Sequence, residues 1–316
     1  MNFLRMIVKR IGLGLITVWA VLTTVFALFT LTEDWAFRGV EASLRFSGGS
    51  EEEIELAQRQ YLAERGLDRP ITEQYVEWME RMLTLNWGES FMTGEPALTL
   101  VISAVSRTAM YVLPALLIGI AFGTLVGLYA GLNPDGRLAN WGLGSVYLLF
   151  ALPNFWLGGL LFSTVRGGES PMSYSPLLFE HVLPIALVTT TLIGGYASYS
   201  RAHSLEYASA DFVALVKAKG AGRFRIACHV VRNAAIPLFS MLFTEAFALL
   251  ILAVFVIETL FGIEGFGLLL MNAAHGQDIP VLLGGTVVII GLGVLGNIVQ
   301  DLSYSLLDPR VDMERR

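Results

Sequence analysis

Six stretches of the chain are apolar enough, and long enough, to cross a bilayer as helices: residues 11–31, 102–131, 138–162, 182–200, 238–260 and 281–300. Separated by polar segments, they predict an all-α, polytopic transmembrane helical bundle of six spans. Span two is longer than a bilayer needs, so it is expected to tilt or to project outward. It carries Gly119, Gly123, Gly127 and Gly131, whose four-residue spacing stacks them on one helix face and predicts close approach of a neighbouring helix. In span three, Pro153 removes a backbone donor and Asn154 places a polar side chain at depth, which predicts a kink toward the protein interior. The stretch 261–280, FGIEGFGLLLMNAAHGQDIP, is too interrupted by glycine for a span and too apolar for a free loop. It is expected to be a re-entrant or interface-lying element.

The polar segments orient the bundle. Arg5, Lys9 and Arg10 precede span one and place the N-terminus on the cytoplasmic side. The first apolar run is long for a signal core and lacks a clear small-x-small cleavage signal, so it is read as an anchor. Residues 32–98 then lie outside. They hold most of the acidic side chains and two expected helices, SEEEIELAQRQYLAERGL with Ser50 as N-cap and Gly66 as stop, and ITEQYVEWMERMLTL after Pro70. This divides the chain into an N-terminal span with an acidic extracytoplasmic helical region, 1–98, and a five-span core, 99–316. NPDGR at 133–137 is a short inner turn, 166–181 an outer loop, and the C-terminal tail returns to the cytoplasm. Arg107 is expected to reach the outer interface.

Composition sharpens this picture. Hydrophobic residues make up 54% and charged residues only 15%, with a mean hydropathy of +0.62, against about a quarter charged in a soluble domain. The formal net charge of −6 reflects the acidic outer segment and argues against nucleic-acid binding. Cys228 is the single cysteine, and His181, His203, His229 and His275 are scattered, so no metal site is expected. Glu245 and Glu258 lie in span five, where a carboxylate is costly unless it faces the bundle interior or water. Both are candidates for a translocation path.

Residues 201–237, RAHSLEYASADFVALVKAKGAGRFRIACHVVRNAAIP, form a basic island between two spans. Its charge alone sets topology. The string LVKAKGAGRFRIACHVVRNAAIP, with Arg201 before it, further resembles the cytoplasmic coupling signature of the inner-membrane permeases of ABC importers, in the dipeptide and oligopeptide branch. The matching positions are Ala218, Lys219, Gly220, Arg232, Asn233 and Pro237. The basic N-terminus, the glycine-repeated span two, ALPNFW at 151–156, ETLFGIEGFGLLL at 258–270 and LLDPR at 306–310 follow that branch in order, with the weakest match at 32–98. One departure is visible: where the family commonly has an arginine before the alanine-lysine-glycine core, this chain has Ala214, Leu215 and Val216.

The resemblance implies a type I importer permease fold in the cytoplasmic membrane and a coupling helix set against an ATPase. Lys217, Ala218, Lys219, Gly220, Arg223, Phe224, Arg225 and Ile226 would make that contact. It further implies a second, related permease, two ATP-binding subunits carrying ATP and Mg, and an extracytoplasmic solute-binding protein received near 263–278. The implied solute is a short peptide, with nickel, glutathione and oligosaccharides as alternatives. No GxxxxGK[ST] string occurs, so the chain itself is not expected to hydrolyse ATP or to bind a cofactor. A secondary transporter would show paired discontinuous spans in an inverted repeat, and a membrane enzyme would need convergent polar groups at one depth. Neither pattern is evident, while a membrane scaffold or receptor would leave the island with only its topological role.

Overall fold

A computed structural model describes residues 3–31, 35–64, 67–166, 175–208, 211–222, 225–226, 228–229 and 254–307. The described residues are helical apart from connecting turns and one isolated bridge between Glu89 and Pro96. In chain order the helices are α1 (Phe3–Leu31), α2 (Trp35–Phe46), α3 (Glu51–Glu64), α4 (Ile71–Leu83), α5 (Ala97–Leu132), α6 (Arg137–Ala151) and α7 (Asn154–Arg166). A π-helical turn, Leu177–Val182, leads into α8 (Leu183–Ala208), followed by α9 (Asp211–Ala218), α10 (Val254–Phe261), α11 (Phe266–His275) and α12 (Ile279–Leu307).

Four of these elements are long and apolar enough to cross a membrane: α1, α5, α8 with its leading π turn, and α12. Two bent pairs, α6 with α7 and α10 with α11, raise the count to as many as six if each is one span. The break between α6 and α7 follows from Pro153. Leu152 before it takes the extended conformation that a following proline favours (φ −79°, ψ 127°), and a new helix starts with Trp156 and Leu157 donating to the Pro153 carbonyl. The result is a turn of 90°, sharper than the expected kink. The α10–α11 turn of 83° makes the glycine-rich stretch after span five a bent helical element. The outer loop expected at 166–181 is shorter than that, because helix resumes at Leu177.

The two expected outer helices are present as α3 and α4. At the start of α3 the Ser50 and Glu53 side chains each accept from the other's backbone N–H, at 3.3 and 2.9 Å, a reciprocal capping box. Helix α2 was not expected, and it packs on α3 through Phe37 and Tyr61, ring centroids 5.4 Å apart.

The centre of the bundle is the α5–α8 seam. A β-carbon at Gly119 would lie 2.8 Å from Leu192 Cβ, and one at Gly123 would lie 2.6 Å from Tyr196 Cβ. At Gly127 it would lie 2.2 Å from the Ala197 carbonyl oxygen, and at Gly131 2.6 Å from Ser204 Cβ. The two helices therefore touch along just over three turns, where van der Waals contact replaces a hydrophobic force that lipid cannot supply. Ser200 Oγ adds a hydrogen bond to the Thr124 carbonyl at 2.9 Å. A second core, at the N-terminal end of α5, joins Leu22, Met82, Trp87, Val101, Ala273 and Val281, tying α1, α4, α5, α11 and α12 together.

Candidate functional site

The basic island begins on α8, where Arg201 is half-buried beside the glycine seam. After α9 the chain turns at Gly220, whose φ of +78° is in the left-handed region. Ala221 N–H donates to the Val216 carbonyl at 3.2 Å, the six-to-one bond of a Schellman ending, and Ala221 and Val216 share an apolar cluster. The next turn opens with Ile226 N–H donating to the Gly222 carbonyl at 3.2 Å.

Apolar contacts seat this loop. Val213 and Ile226 are buried against Leu128 and Leu132, in the last turns of α5, with Val216 and Ala221 alongside. Ile226 is buried in the seat, and Leu215, 57% exposed, is a large apolar side chain left on the outside. Ala218, Lys219, Gly220 and Arg225 are exposed with it. Of the residues that stand where the family commonly has an arginine, Val216 contributes to this apolar seat. Lys217 lies on α9. Arg223, Phe224, Arg232, Asn233, Pro237 and Glu245 fall outside the described residues.

The break at Pro153 brings Asn154 to α8, where its amide Nδ2 donates to Thr191 Oγ1 and its Oδ1 accepts from Thr190 Oγ1 at 3.5 Å. Pro153 itself is exposed.

At the other end of the bundle, Glu258 is fully buried. Its Oε1 accepts from Thr108 Oγ1 at 2.5 Å and from Tyr111 OH at 2.8 Å, both on α5. Its Oε2 accepts from Leu268 N–H at 2.9 Å in the first turn of α11. Thr108 Oγ1 in turn accepts from Phe266 N–H at 2.8 Å. A carboxyl group so occupied fastens three helices, and among the described residues no face of it is open. Arg107, expected at the outer interface, pairs with Glu264 in the α10–α11 turn.

A second buried carboxylate, missed in the sequence, fixes the neighbouring loop. Asp278, 2% exposed, accepts from Ser90 Oγ and, at 3.1 Å, from Phe91 N–H. Ser90 Oγ also accepts from the N–H groups of Met92 and Thr93. The sign that would have found it is an aspartate set between two apolar runs with only one residue, Ile279, before a proline. Asp278→Ala strands the Ser90 hydroxyl and an amide in a buried site, and should lower stability by about 3 kcal/mol. Thermal unfolding of the detergent-purified permease measures this, and a change within 0.5 kcal/mol, roughly that of a surface substitution, would contradict it.

Among the described residues no group of three His, Cys, Asp or Glu side chains is placed to hold a metal.

The sequence comparisons bear on this arrangement. The family model described as "Binding-protein-dependent transport system inner membrane component" matches residues 123–313, from the glycine seam to the C-terminal tail. A probable peptide ABC transporter permease protein of Sinorhizobium fredii is 30% identical over 265 residues, covering 78% of this chain and 82% of its own length. The dipeptide transport system permease protein of Lactococcus lactis subsp. cremoris is 27% identical over 320 residues, covering 97% and 99%. The oligopeptide transport system permease protein of Bacillus subtilis is 25% identical over 271 residues, covering 80% and 84%.

Proposed function

Because the chain belongs to the family of binding-protein-dependent transport system inner membrane components, we propose that it is the permease subunit of an ATP-driven importer of short peptides, built as a six-span type I importer permease. The peptide assignment is supported by what its relatives' names say they carry. Both termini lie in the cytoplasm, residues 1–98 supply the first span and an outer cap, and residues 99–316 form the five-span core that pairs with a related permease.

The observation that carries this reading is the seat of the basic loop. An exposed strip, Leu215, Ala218, Lys219, Gly220 and Arg225, rides on α9 and the turn after it. That turn is anchored by Val213 and Ile226 to the last turns of α5, a helix of 36 residues whose other end sits in the core shared with α1, α4, α11 and α12. At ~1.5 Å per residue α5 runs about 54 Å, so one continuous helix, with Pro114 inside it, joins the cytoplasmic loop to the opposite surface. A push on the exposed strip is delivered to α5 and, through the glycine seam, to α8. The family resemblance would add Lys217, Arg223 and Phe224 to this contact. ATP and Mg sit on the partner subunits, whose closure draws the paired coupling loops together and rocks the spans between inward- and outward-facing states.

The test is co-purification of the tagged permease with two ATP-binding subunits, and ATP turnover that rises when peptide-loaded binding protein is added. A permease that isolates without ATPases, or turnover indifferent to the binding protein, would sink the proposal.

A further inference from the structure

Helices normally satisfy their first N–H groups with a side chain from their own N-cap. Helix α11 does not. Its N-cap is Gly265, which has no side chain to offer. The first amide, Phe266 N–H, is taken by Thr108 of α5, and the third, Leu268 N–H, by Glu258 of α10. The same Glu258 accepts the hydroxyls of Thr108 and Tyr111, so the N-terminus of α11 is capped by two other elements that are bonded to each other. The glycines here are shaped to the cradle: a β-carbon on Gly265 would lie 2.2 Å from Glu258 Oε1, and one on Gly267 would lie 3.0 Å from the Phe255 backbone. Arg107 and Glu264 make a parallel tie at the surface.

We propose that Glu258 is a positioning residue for transport, a joint that makes α11 travel as one body with the outer half of α5, rather than a path carboxylate that touches the solute. This inference rests on the importer reading. Since α5 also seats the cytoplasmic loop, the joint would be the outer terminus of the route by which ATPase closure reaches the extracytoplasmic surface. A Gln at 258 keeps the shape but turns one acceptor into a donor. Its one remaining oxygen can serve the two α5 hydroxyls or the Leu268 N–H but not both; kept on the hydroxyls, it sets the amide NH2 against that N–H, donor against donor.

The test uses the whole importer in liposomes, with its partner permease, ATPases and binding protein. Glu258→Gln and Thr108→Val should each lower peptide uptake per ATP hydrolysed by about tenfold, the size expected for loss of a charge-assisted hydrogen bond. The loss should be equal for cationic, neutral and anionic peptides, and the double variant should be no worse than the worse single one, because both break one joint. A loss that follows peptide charge would make Glu258 a solute contact, and additive losses would separate the two residues; either overturns the proposal. A second arm does not depend on these variants folding. In a Cys228→Ser background, Arg107→Cys and Glu264→Cys are bridged by a short reducible linker across the exposed tie. Uptake that survives bridging is the expected result, and uptake blocked by the bridge and restored by reduction overturns a joint that stays closed. Absence of ATP-dependent uptake in the parent complex would strike the importer reading itself, and this inference with it, whereas a failure confined to the variants or the bridge strikes this inference alone.

Discussion

Gly127→Val should leave no folded permease to purify, and Gly127→Ala should lower its stability by about 3 kcal/mol, the upper range for overpacking a tight interior. The atom that a β-carbon would meet is a main-chain oxygen of α8 at 2.2 Å, which no rotamer change can move away. The helices must part, and parting them at Gly127 also loosens Gly123 and Gly131, which lie on the same face one turn to either side. Gly12 is the control, since a β-carbon there meets no atom within 4 Å among the described residues. Gly12→Ala should be neutral or gain up to about 1 kcal/mol of helix propensity. Thermal unfolding in detergent distinguishes the two, and a Gly127→Ala variant as stable as Gly12→Ala would show that the seam does not bear on folding.

Gly220→Val should act on function and spare folding. A β-carbon there meets nothing within 4 Å among the described residues, so there is room, but φ is +78°, where a β-branched residue is strained. The strain, about 1–2 kcal/mol, is relieved by reshaping the turn, which loses the Ala221 to Val216 bond and tilts the exposed strip. The variant should insert in the membrane in normal amounts and bind the ATPases. Its ATP turnover should continue while uptake falls by about tenfold or more, as expected if the strain is spent on the coupled step. Gly220→Asn, which tolerates the left-handed region better, should recover part of the loss. Full coupled uptake in the valine variant would remove this turn from the transmission.

Much of this architecture was legible because it is local. The four glycines of α5 recur at one helical period, and the break at Pro153 follows from a missing donor, so both are written in a few consecutive residues. The 90° angle of that break was not, because it depends on α8, where Thr190 and Thr191 receive Asn154. The Gly220 turn was legible, while the inward direction of Ile226 was set by Leu128 and Leu132, far away in the chain. Glu258 marks the boundary most clearly. Its place in an apolar span flagged it as functional, yet its partners Thr108 and Tyr111 lie 150 and 147 residues earlier, beyond any periodicity. Ser90 and Asp278, 188 residues apart, were invisible for the same reason. Helix α2 was overlooked because WAFRGVEASLRF is short and has a glycine near its centre, although Asp34 just before it is a favourable N-cap residue.

The transmission account is tested most directly by uptake of a labelled short peptide into liposomes holding this chain with its partner permease. The account predicts accumulation only when the ATPases, ATP and loaded binding protein are all present, with no response to an imposed proton or sodium gradient. Peptide uptake that proceeds without the ATPases, or follows an ion gradient, would contradict it.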